Sequence, residues 1–299
     1  AFTIDGHRLR TAAVFDYEAK SSYQILVRST DAGGLFTERA FTVSVRDVPE
    51  PRTFEIPAGS SVIVVEPLVG ADRMVIRGGG RVILEAANDF TGGVVVEAGE
   101  LVVRNAAALG TGPLNVRAGA KVTLDLGGGT VGISDLELEP TARLDVGLGK
   151  ISLPAGGYSA ETLRTWITAG RNGGAGNGPG ISSSNAAATA FRAIGSRILP
   201  DGSAIVGFSA VGDANMDGTV NVQDLIALNA GGRYGTAAID SGWWQGDFND
   251  DGRVNVSDLI ALQSSGLYGR GSYMPAPASA SLAAASATLL TLPARRGVR

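Results

Sequence analysis

The first half of the chain is a series of short apolar runs separated by glycine. From residue 61 to about 126, runs rich in Val, Leu and Ile alternate with glycine pairs, and no helical period lies between them. Short strands with glycine corners are typical of a β-solenoid or a sandwich, in which stacked rungs bury one continuous core. We therefore expect residues 51–153 to form the β-solenoid of a mainly β protein, with strands in 54–76 and 131–153 as its end caps.

Residues 1–48 alternate apolar and polar positions with period two on either side of a turn at 31–34. The apolar positions are Tyr23, Ile25, Val27, Phe41, Val43 and Val45. This alternation predicts antiparallel strands of a sandwich. Pro49 and Pro51 then end the unit, because proline cannot donate a hydrogen bond to a β-ladder.

Residues 154–211 have a different character. Ser159 is placed to cap a short helix that carries Leu163, Trp166 and Ile167 on one face. A loop rich in Gly, Ser and Asn follows, and strands at 191–199 and 203–210 are expected to return the chain to the sheet. The predicted divisions of the whole chain are 1–50, 51–153, 154–211, 212–270 and a disordered or sorting tail at 271–299.

A 17-residue sequence occurs twice near the end of the chain. Residues 212–228 read GDANMDGTVNVQDLIAL, and residues 246–262 read GDFNDDGRVNVSDLIAL. The offset is 34 residues and 13 of the 17 aligned positions are identical. In each copy, oxygen-bearing residues fall at positions 1, 3, 5, 9 and 12 of a loop with glycine at position 6, which is the ligand spacing of an EF-type calcium loop.

These positions predict two Ca²⁺ sites, because calcium takes six to eight oxygen ligands in a flexible geometry. The predicted ligands of the first loop are Asp213, Asn215, Asp217, the backbone carbonyl of Thr219, Asn221 and Asp224. Those of the second loop are Asp247, Asn249, Asp251, the backbone carbonyl of Arg253, Asn255 and Asp258. Gly218 and Gly252 are expected to supply the positive φ of the sharp turn, and Val220 and Val254 to join the two loops in a short ladder.

A helix is expected after each loop. The apolar stripes of these helices are Leu225, Ile226 and Leu228 in the first copy and Leu259, Ile260 and Leu262 in the second. Two short helices make only a minimal core, so folding of this module and binding of calcium are expected to be coupled.

The duplicated loop–helix pattern, with no helix before either loop and Asp at position 12, resembles a type I dockerin. The resemblance implies a small α-helical module with two EF-type calcium loops that docks to a cohesin-like protein domain through its helices. Positions 10 and 11 of each loop help to choose the partner in that family. Here they are Val222 with Gln223, and Val256 with Ser257, whereas hydroxyl-rich pairs are common in cellulosomal dockerins.

Three weaker resemblances lie outside the repeat. Residues 78–128 are similar to the autotransporter-associated β-strand repeat of bacterial surface proteins, which implies a secreted, structural parallel β-helix without catalytic residues. Residues 1–48 resemble the second half of a cadherin-like repeat, in which Glu18 and Asp31 would help to hold calcium; solvated acids on a strand edge are the other interpretation. The proline motif, apolar run and basic end of residues 271–299 resemble a PEP-CTERM sorting tail.

Composition narrows the class of function. The net charge of −4 and the pI near 5.2 are unfavourable for nucleic acid or anionic membrane surfaces. There is no cysteine to form a disulfide, and no run approaches the ~18 apolar residues of a stable membrane span. His7 is the only histidine, which removes a Ser-His triad and multi-His metal sites.

The favoured function is a non-catalytic bacterial protein that is secreted or on the cell surface. Its β modules would act as spacer or adhesive scaffold, with surface polysaccharide as a further partner, and its dockerin-like module would dock to a cohesin-like domain. The alternative is a polysaccharide-degrading β-helix enzyme that carries the dockerin as a tag. That enzyme needs two carboxylates about 5 to 9.5 Å apart, and the solenoid acids, Glu85, Glu97, Glu100 and Asp125, are scattered singly along the sequence.

Overall fold

The computed structural model describes residues 1–274 except positions 7, 18, 47 and 49, together with the backbone of residues 288 and 289. The chain is mainly β with few helices, and it divides into two compact units at Glu50 and Pro51. No helix in this described part is long and apolar enough to cross a membrane. The sorting-tail prediction falls almost entirely outside the described residues.

The first unit contains two antiparallel hairpins. Its strands are β1 (Phe2–Asp5), β2 (Arg8–Thr11), β3 (Ser22–Thr30) and β4 (Phe36–Ser44), paired as β1 with β2 and β3 with β4. The Asp31 carboxylate accepts hydrogen bonds from the N–H groups of Gly33 and Leu35 at 2.8 and 3.0 Å, so it closes the β3–β4 turn. Antiparallel strands are confirmed here, the sandwich and cadherin-like assignments stay predictions, and Glu18 lies outside the described residues.

The second unit begins with a series of short strands. They are β5 (Arg52–Glu55), β6 (Ser61–Val64), β7 (Val69–Gly70), β8 (Met74–Arg77), β9 (Arg81–Leu84), β10 (Asp89–Phe90), β11 (Val94–Val96), β12 (Glu100–Val103), β13 (Leu114–Val116), β14 (Lys121–Leu124), β15 (Thr130–Gly132), β16 (Leu136–Leu138), β17 (Arg143–Asp145) and β18 (Lys150–Leu153).

The later elements include the helices. They are α1 (Ala160–Arg171), a 3-10 turn (Asn172–Gly174), β19 (Gly180–Ser182), α2 (Ser184–Ala187), β20 (Arg192–Ile198), β21 (Ala204–Ala210), α3 (Val222–Ala230), a second 3-10 turn (Trp243–Gln245), α4 (Val256–Ser264) and β22 (Thr288–Leu289).

The predicted β-solenoid is confirmed by two parallel sheets that share the same rungs. One sheet has the order β16-β13-β11-β8-β5, and the other has the order β19-β17-β14-β12-β9-β6-β22. In the first sheet, Met74, Val94 and Leu114 are paired in register, and successive members differ by 20 residues in number. Each rung therefore adds one strand to each sheet, as stacking of a solenoid requires.

The core of the solenoid consists of columns of inward-facing side chains. Val82, Leu101, Val122 and Leu144 are paired in register on successive strands of the second sheet, and all four are fully buried. Parallel strands of this kind are apolar because they are covered on the core side by the other sheet. The glycine-spaced Val, Leu and Ile runs of the sequence are therefore the strands themselves.

Charged side chains on the outer faces also align between rungs. The Arg104 guanidinium group lies 2.9 Å from Glu85 and 3.0 Å from Asp125, so it links three successive rungs. Glu100 pairs with both Arg81 and Lys121 in the same way. Exposed pairs of this kind contribute little stability singly, but opposite charges in register oppose a slip of one strand against the next.

The solenoid extends further than predicted. Of the strands in the segments expected as caps, β5, β6, β8, β16 and β17 belong to these two sheets, whereas β15 and β18 lie in a third sheet with β20 and β21. β19 continues the second sheet beyond residue 153. The predicted helix is present as α1, whose N-terminus is capped by the Ser159 hydroxyl. Leu163 and Ile167 of α1 join the solenoid core, and the antiparallel hairpin β20–β21 pairs with β18.

We expect the stability of the stacked core to depend strongly on individual buried methyl groups. Replacement of the fully buried Val103 by Ala removes two of them, and should lower the free energy of unfolding by about 2 kcal/mol or more. Denaturant unfolding of the chain measures the change. Val65→Ala is the matched control, because Val65 is half exposed and should change stability by less than about 0.5 kcal/mol. Equal losses in both variants would contradict the assigned core.

Candidate metal centre

The two repeated loops end in identical helix caps. Asn221 precedes α3, where its side-chain oxygen accepts the N–H of Gln223 at 2.8 Å, and the Asp224 carboxylate accepts the N–H of Asn221 at 2.8 Å. Asn255 and Asp258 form the same capping box before α4. These caps hold position 9 and position 12 of each loop side by side at the start of the helix.

The first half of each loop is folded by its own carboxylates. Asp213 accepts the N–H groups of Asp217 at 3.2 Å and of Gly218 at 3.0 Å. Asp247 accepts the equivalent N–H groups in the second loop at 3.1 and 2.9 Å. Side-chain oxygens at positions 3 and 5 each accept the N–H two residues further on, in the pattern of Asx turns. The two loops therefore have the same conformation.

Two positions in each loop have a left-handed backbone. Gly218 and Gly252 have φ values of 94° and 83°, as their place in the loop predicts. Position 4 also has positive φ, although it is Met216 in the first loop and Asp250 in the second, with φ values of 61° and 58°. A non-glycine residue in this region is uncommon and strained. The repeat of this strain in both copies indicates that the loop conformation itself is required.

The position-1 and position-12 carboxylates lie inside the protein. Asp213, Asp224, Asp247 and Asp258 each have at most 1% of their surface exposed. Within the described part of the chain, none of the four lies within ion-pair distance of a Lys or Arg side chain. Because an uncompensated buried carboxylate is costly, each loop requires either protonation or a cation.

The pKa values of these acids reflect that cost. Burial raises the pKa of Asp213 to about 6, against the opposing hydrogen bonds from Tyr273 and Gly218. Burial also raises the pKa of Asp247 to about 7, and the nearby Asp250 carboxylate adds to the shift. The pKa of Asp224 is raised, again mainly by burial. The folded loops therefore oppose ionisation of these carboxyl groups, because burial and the neighbouring acids destabilise their negative charge.

The donor set of each loop fits calcium. Three carboxylates and two Asn side chains supply hard oxygen atoms, and the position-7 backbone carbonyls of Thr219 and Arg253 stay predicted ligands. The carboxylates alone do not form a metal site, because the described residues contain no group of three or more His, Cys, Asp and Glu side chains arranged to hold an ion. A calcium ion held by either loop would need the amide and backbone oxygens as well as the carboxylates.

The predicted ladder between the two loops is wrong. Val220 bridges to Tyr268, which follows α4, and Val254 bridges to Tyr234, which follows α3. Each valine thus pairs with the segment beyond the opposite helix. The sequence carried a signal for this pairing, because Gly-x-Tyr-Gly occurs at 232–235 and again at 266–269, with the same offset of 34 residues.

The helices also differ from their predicted stripe. Leu228 and Leu262 are buried, but Ile226 and Ile260 are 53% and 56% exposed and lie outside the core. The core of the module is completed instead by Ala193 of β20 and Ala210 of β21, at the end of the solenoid. Its buried members are Ala193, Ala210, Ala214, Met216, Val220, Leu228, Trp243, Phe248, Val254 and Leu262. The strands β20 and β21 therefore share one hydrophobic core with both loops.

Trp243 lies at the centre of this shared core. Its indole N–H donates to the Asp213 backbone carbonyl at 2.7 Å, and its ring packs edge-on against Phe248 of the second loop at 5.2 Å. On its other side is Gly195 of β20, where a Cβ atom would lie 2.8 Å from the indole nitrogen. Trp243 thus contacts both loops and the solenoid at once.

Side chains that the sequence did not single out hold the loops in place. The Tyr273 hydroxyl donates to the Asp213 carboxylate, and Arg197 of β20 donates to the Asn215 backbone carbonyl at 3.2 Å. Lys150 of β18 and Arg171 of α1 also contact the loops. These contacts join residues 18 to 79 positions apart. No local pattern identifies such long-range contacts.

Comparison of the chain with protein-family models, curated proteins and solved structures finds no match. The resemblances to dockerin, autotransporter-associated and cadherin-like repeats therefore stay predictions. The structure itself defines a parallel β-solenoid whose last hairpin packs against two equivalent acidic loop–helix units.

We expect Gly195→Ala to displace Trp243, because the new methyl group would overlap the indole ring. The free energy of unfolding should fall by about 1 to 3 kcal/mol, and the tryptophan emission should shift to longer wavelength as the ring becomes more exposed. Gly157→Ala is the matched control, because a Cβ atom at Gly157 has open space around it. An unshifted emission spectrum in Gly195→Ala would contradict this packing.

Proposed function

We propose that residues 212–270 form a dockerin-like module that binds two Ca²⁺ ions and docks to another protein. The observation that carries the proposal is the burial of four carboxylates, at positions 1 and 12 of both loops, without an ion-pair partner in the described residues. Bound calcium supplies the missing positive charge and relieves the repulsion within each loop. The residues that would hold it are those predicted from the repeat, from Asp213 to Asp224 and from Asp247 to Asp258.

The docking surface proposed for the partner is formed by the outer faces of α3 and α4. Val222 and Ile226 on α3 are both 53% exposed, and Val256 and Ile260 on α4 are 59% and 56% exposed. Valine and isoleucine four residues apart lie on the same side of a helix. The recognition positions implied by the dockerin resemblance belong to this surface, since Gln223 and Ser257 are exposed as well. A cohesin-like domain is the partner that the resemblance implies.

The proposed role of the solenoid is to space and display this module on a secreted or surface-attached bacterial protein, with surface polysaccharide as an adhesive partner. The solenoid supports such a role because its rungs are uniform and its core is continuous. Stacked repeats of this kind give length without a change of fold. Location and adhesion are proposals that follow from the family resemblances alone.

The enzymatic alternative has no supporting observation among the four solenoid acids. Glu85 and Asp125 both pair with Arg104, Glu97 pairs with Arg77, and Glu100 pairs with Arg81 and Lys121. Hydrogen bonding to Arg77 lowers the pKa of Glu97. A glycosidase acid needs a raised pKa to remain protonated, so these carboxylates are suited to holding the rungs in register.

We expect calcium to raise the melting temperature of the chain. At a calcium concentration 100 times the dissociation constant, each occupied loop should add about 2.7 kcal/mol to the free energy of unfolding. Thermal melting followed by circular dichroism, with calcium and with chelator, measures the shift. A double variant, Asp213→Asn with Asp247→Asn, removes the first ligand of both loops and should abolish the shift.

The control for this experiment is Asp240→Asn. Asp240 lies between the loops, is exposed and pairs with Arg233. Its replacement changes the charge of the module by the same amount per site but removes no predicted ligand, so the calcium-dependent shift should remain. A wild-type chain whose melting temperature is the same in calcium and in chelator would refute the calcium proposal.

We expect a cohesin-like domain from the same cell to be retained on the immobilised chain only when calcium is present. Ile226→Glu combined with Ile260→Glu places charge on the proposed docking surface, and should weaken retention by at least tenfold. Val69→Glu, at an exposed position of the solenoid, should leave retention unchanged. Surface plasmon resonance measures all three chains. Retention in chelator, or equal retention by the helix variant, would argue against this mode of docking.

A further inference from the structure

Both loops are contacted at position 4 by a basic side chain from the solenoid unit. This position is Met216 in the first loop and Asp250 in the second, and both have a left-handed backbone. The Lys150 ammonium group donates a hydrogen bond to the Met216 backbone carbonyl. The Arg171 guanidinium group pairs instead with the Asp250 carboxylate. The two loops are thus held at the same place, but by contacts of different charge.

Lys150 has no carboxylate partner of its own. It forms no ion pair with the described residues, its hydrogen-bond acceptor is neutral, and the acids whose charges act on it are Asp213 and Asp217 of the first loop. Gly207 lies opposite Lys150 in the β18–β21 ladder, and a Cβ atom there would be 2.7 Å from Lys150 Cγ. The hairpin therefore leaves space for this partly buried side chain beside the loop.

The other charged side chains around the loops also make the surroundings of the first loop more positive than those of the second. A second cation next to the first loop, Arg197, also donates to a neutral backbone carbonyl. Next to the second loop, Asp250 offsets Arg171, and the first loop has no such acid. Arg164 donates to the backbone carbonyls of Ile239 and Ser241 and also reaches the second loop, because a Cβ atom at Gly252 would lie 2.6 Å from its guanidinium nitrogen. Arg253 within that loop is exposed, so its charge is screened by solvent. Each loop thus has two basic side chains beside it, but among the described residues only the second loop has an acid outside the predicted ligand set, Asp250, to offset them. The first loop therefore has the more positive surroundings.

We infer that the two loops bind calcium with unequal affinity, and that Lys150 produces the difference by weakening the first loop. The inference rests on the proposed calcium binding. A positive charge beside the loop opposes entry of a doubly charged ion, and the opposition is stronger where protein excludes water. The second loop, where Asp250 offsets Arg171, fills first. Because Lys150 belongs to β18, occupancy of the first loop is linked to the contact between that loop and the solenoid.

Single-loop variants of the full chain test this inference by isothermal titration with calcium. Asp247→Asn leaves only the first loop intact, and Asp213→Asn leaves only the second. The Asp213→Asn chain should bind calcium more tightly than the Asp247→Asn chain. Addition of Lys150→Met to Asp247→Asn should tighten binding about tenfold, the effect of removing one partly buried charge near the ion. Lys121→Met, a change of the same charge on the solenoid away from the loops, should have no effect.

Circular dichroism of each variant in chelator establishes that the solenoid is folded before titration. In the wild-type chain, two binding steps of different affinity support the inference. Equal affinities in the two single-loop variants overturn it, and so does a Lys150→Met variant that binds no more tightly than its parent; in both cases the proposed calcium function still stands. A wild-type chain that binds no calcium at either loop overturns the inference and the proposed function together.

Discussion

Stacking of the rungs in register is the constraint on which the second unit depends. Because Val82, Leu101, Val122 and Leu144 form one continuous column, each side chain is buried only if the rungs on both sides of it are in place. The same register brings Arg104 between two acids on the outer surface. The inner apolar columns stabilise the stack because they are buried, and the outer charged columns favour one alignment of the strands. Both kinds of side chain therefore favour the same register.

A stack of this kind must be closed where the rungs stop, since the last rung would otherwise expose its inner side chains. Here Leu163 and Ile167 of α1 pack into the core beside β19, and the β20–β21 hairpin continues from β18. The hairpin also buries Ala193 and Ala210 against the acidic loops. The proposed docking module is therefore continuous with the end of the solenoid, and a separate tag joined by a linker does not describe it.

Features that depend on neighbouring residues or on the repeated sequence could be predicted from the sequence. The glycine-spaced Val and Leu runs predicted the strands, and Ser159 predicted the start of α1. The 34-residue repeat predicted two loops of the same conformation, with positive φ at Gly218. Features that depend on distant packing could not be predicted in this way. A helical stripe of three apolar residues does not show which of them faces the core, so the sequence predicts a buried Ile226 although this residue is half exposed. The contact of Lys150 with Met216 spans 66 residues, so no local pattern predicts it.

The basic side chains at the end of the solenoid make two kinds of contact with the loops. Arg171 neutralises Asp250, an acid outside the predicted ligand set, while Lys150 and Arg197 bind backbone carbonyls. None of these cations pairs with Asp213 or the other three buried acids, although all of them reach the loops. Hydrogen bonds from backbone N–H groups fix the direction of those carboxylates but leave their charge uncompensated, because their pKa values are raised despite these bonds. The solenoid thus determines where the loops lie, and the charge within them is left for a ligand to balance.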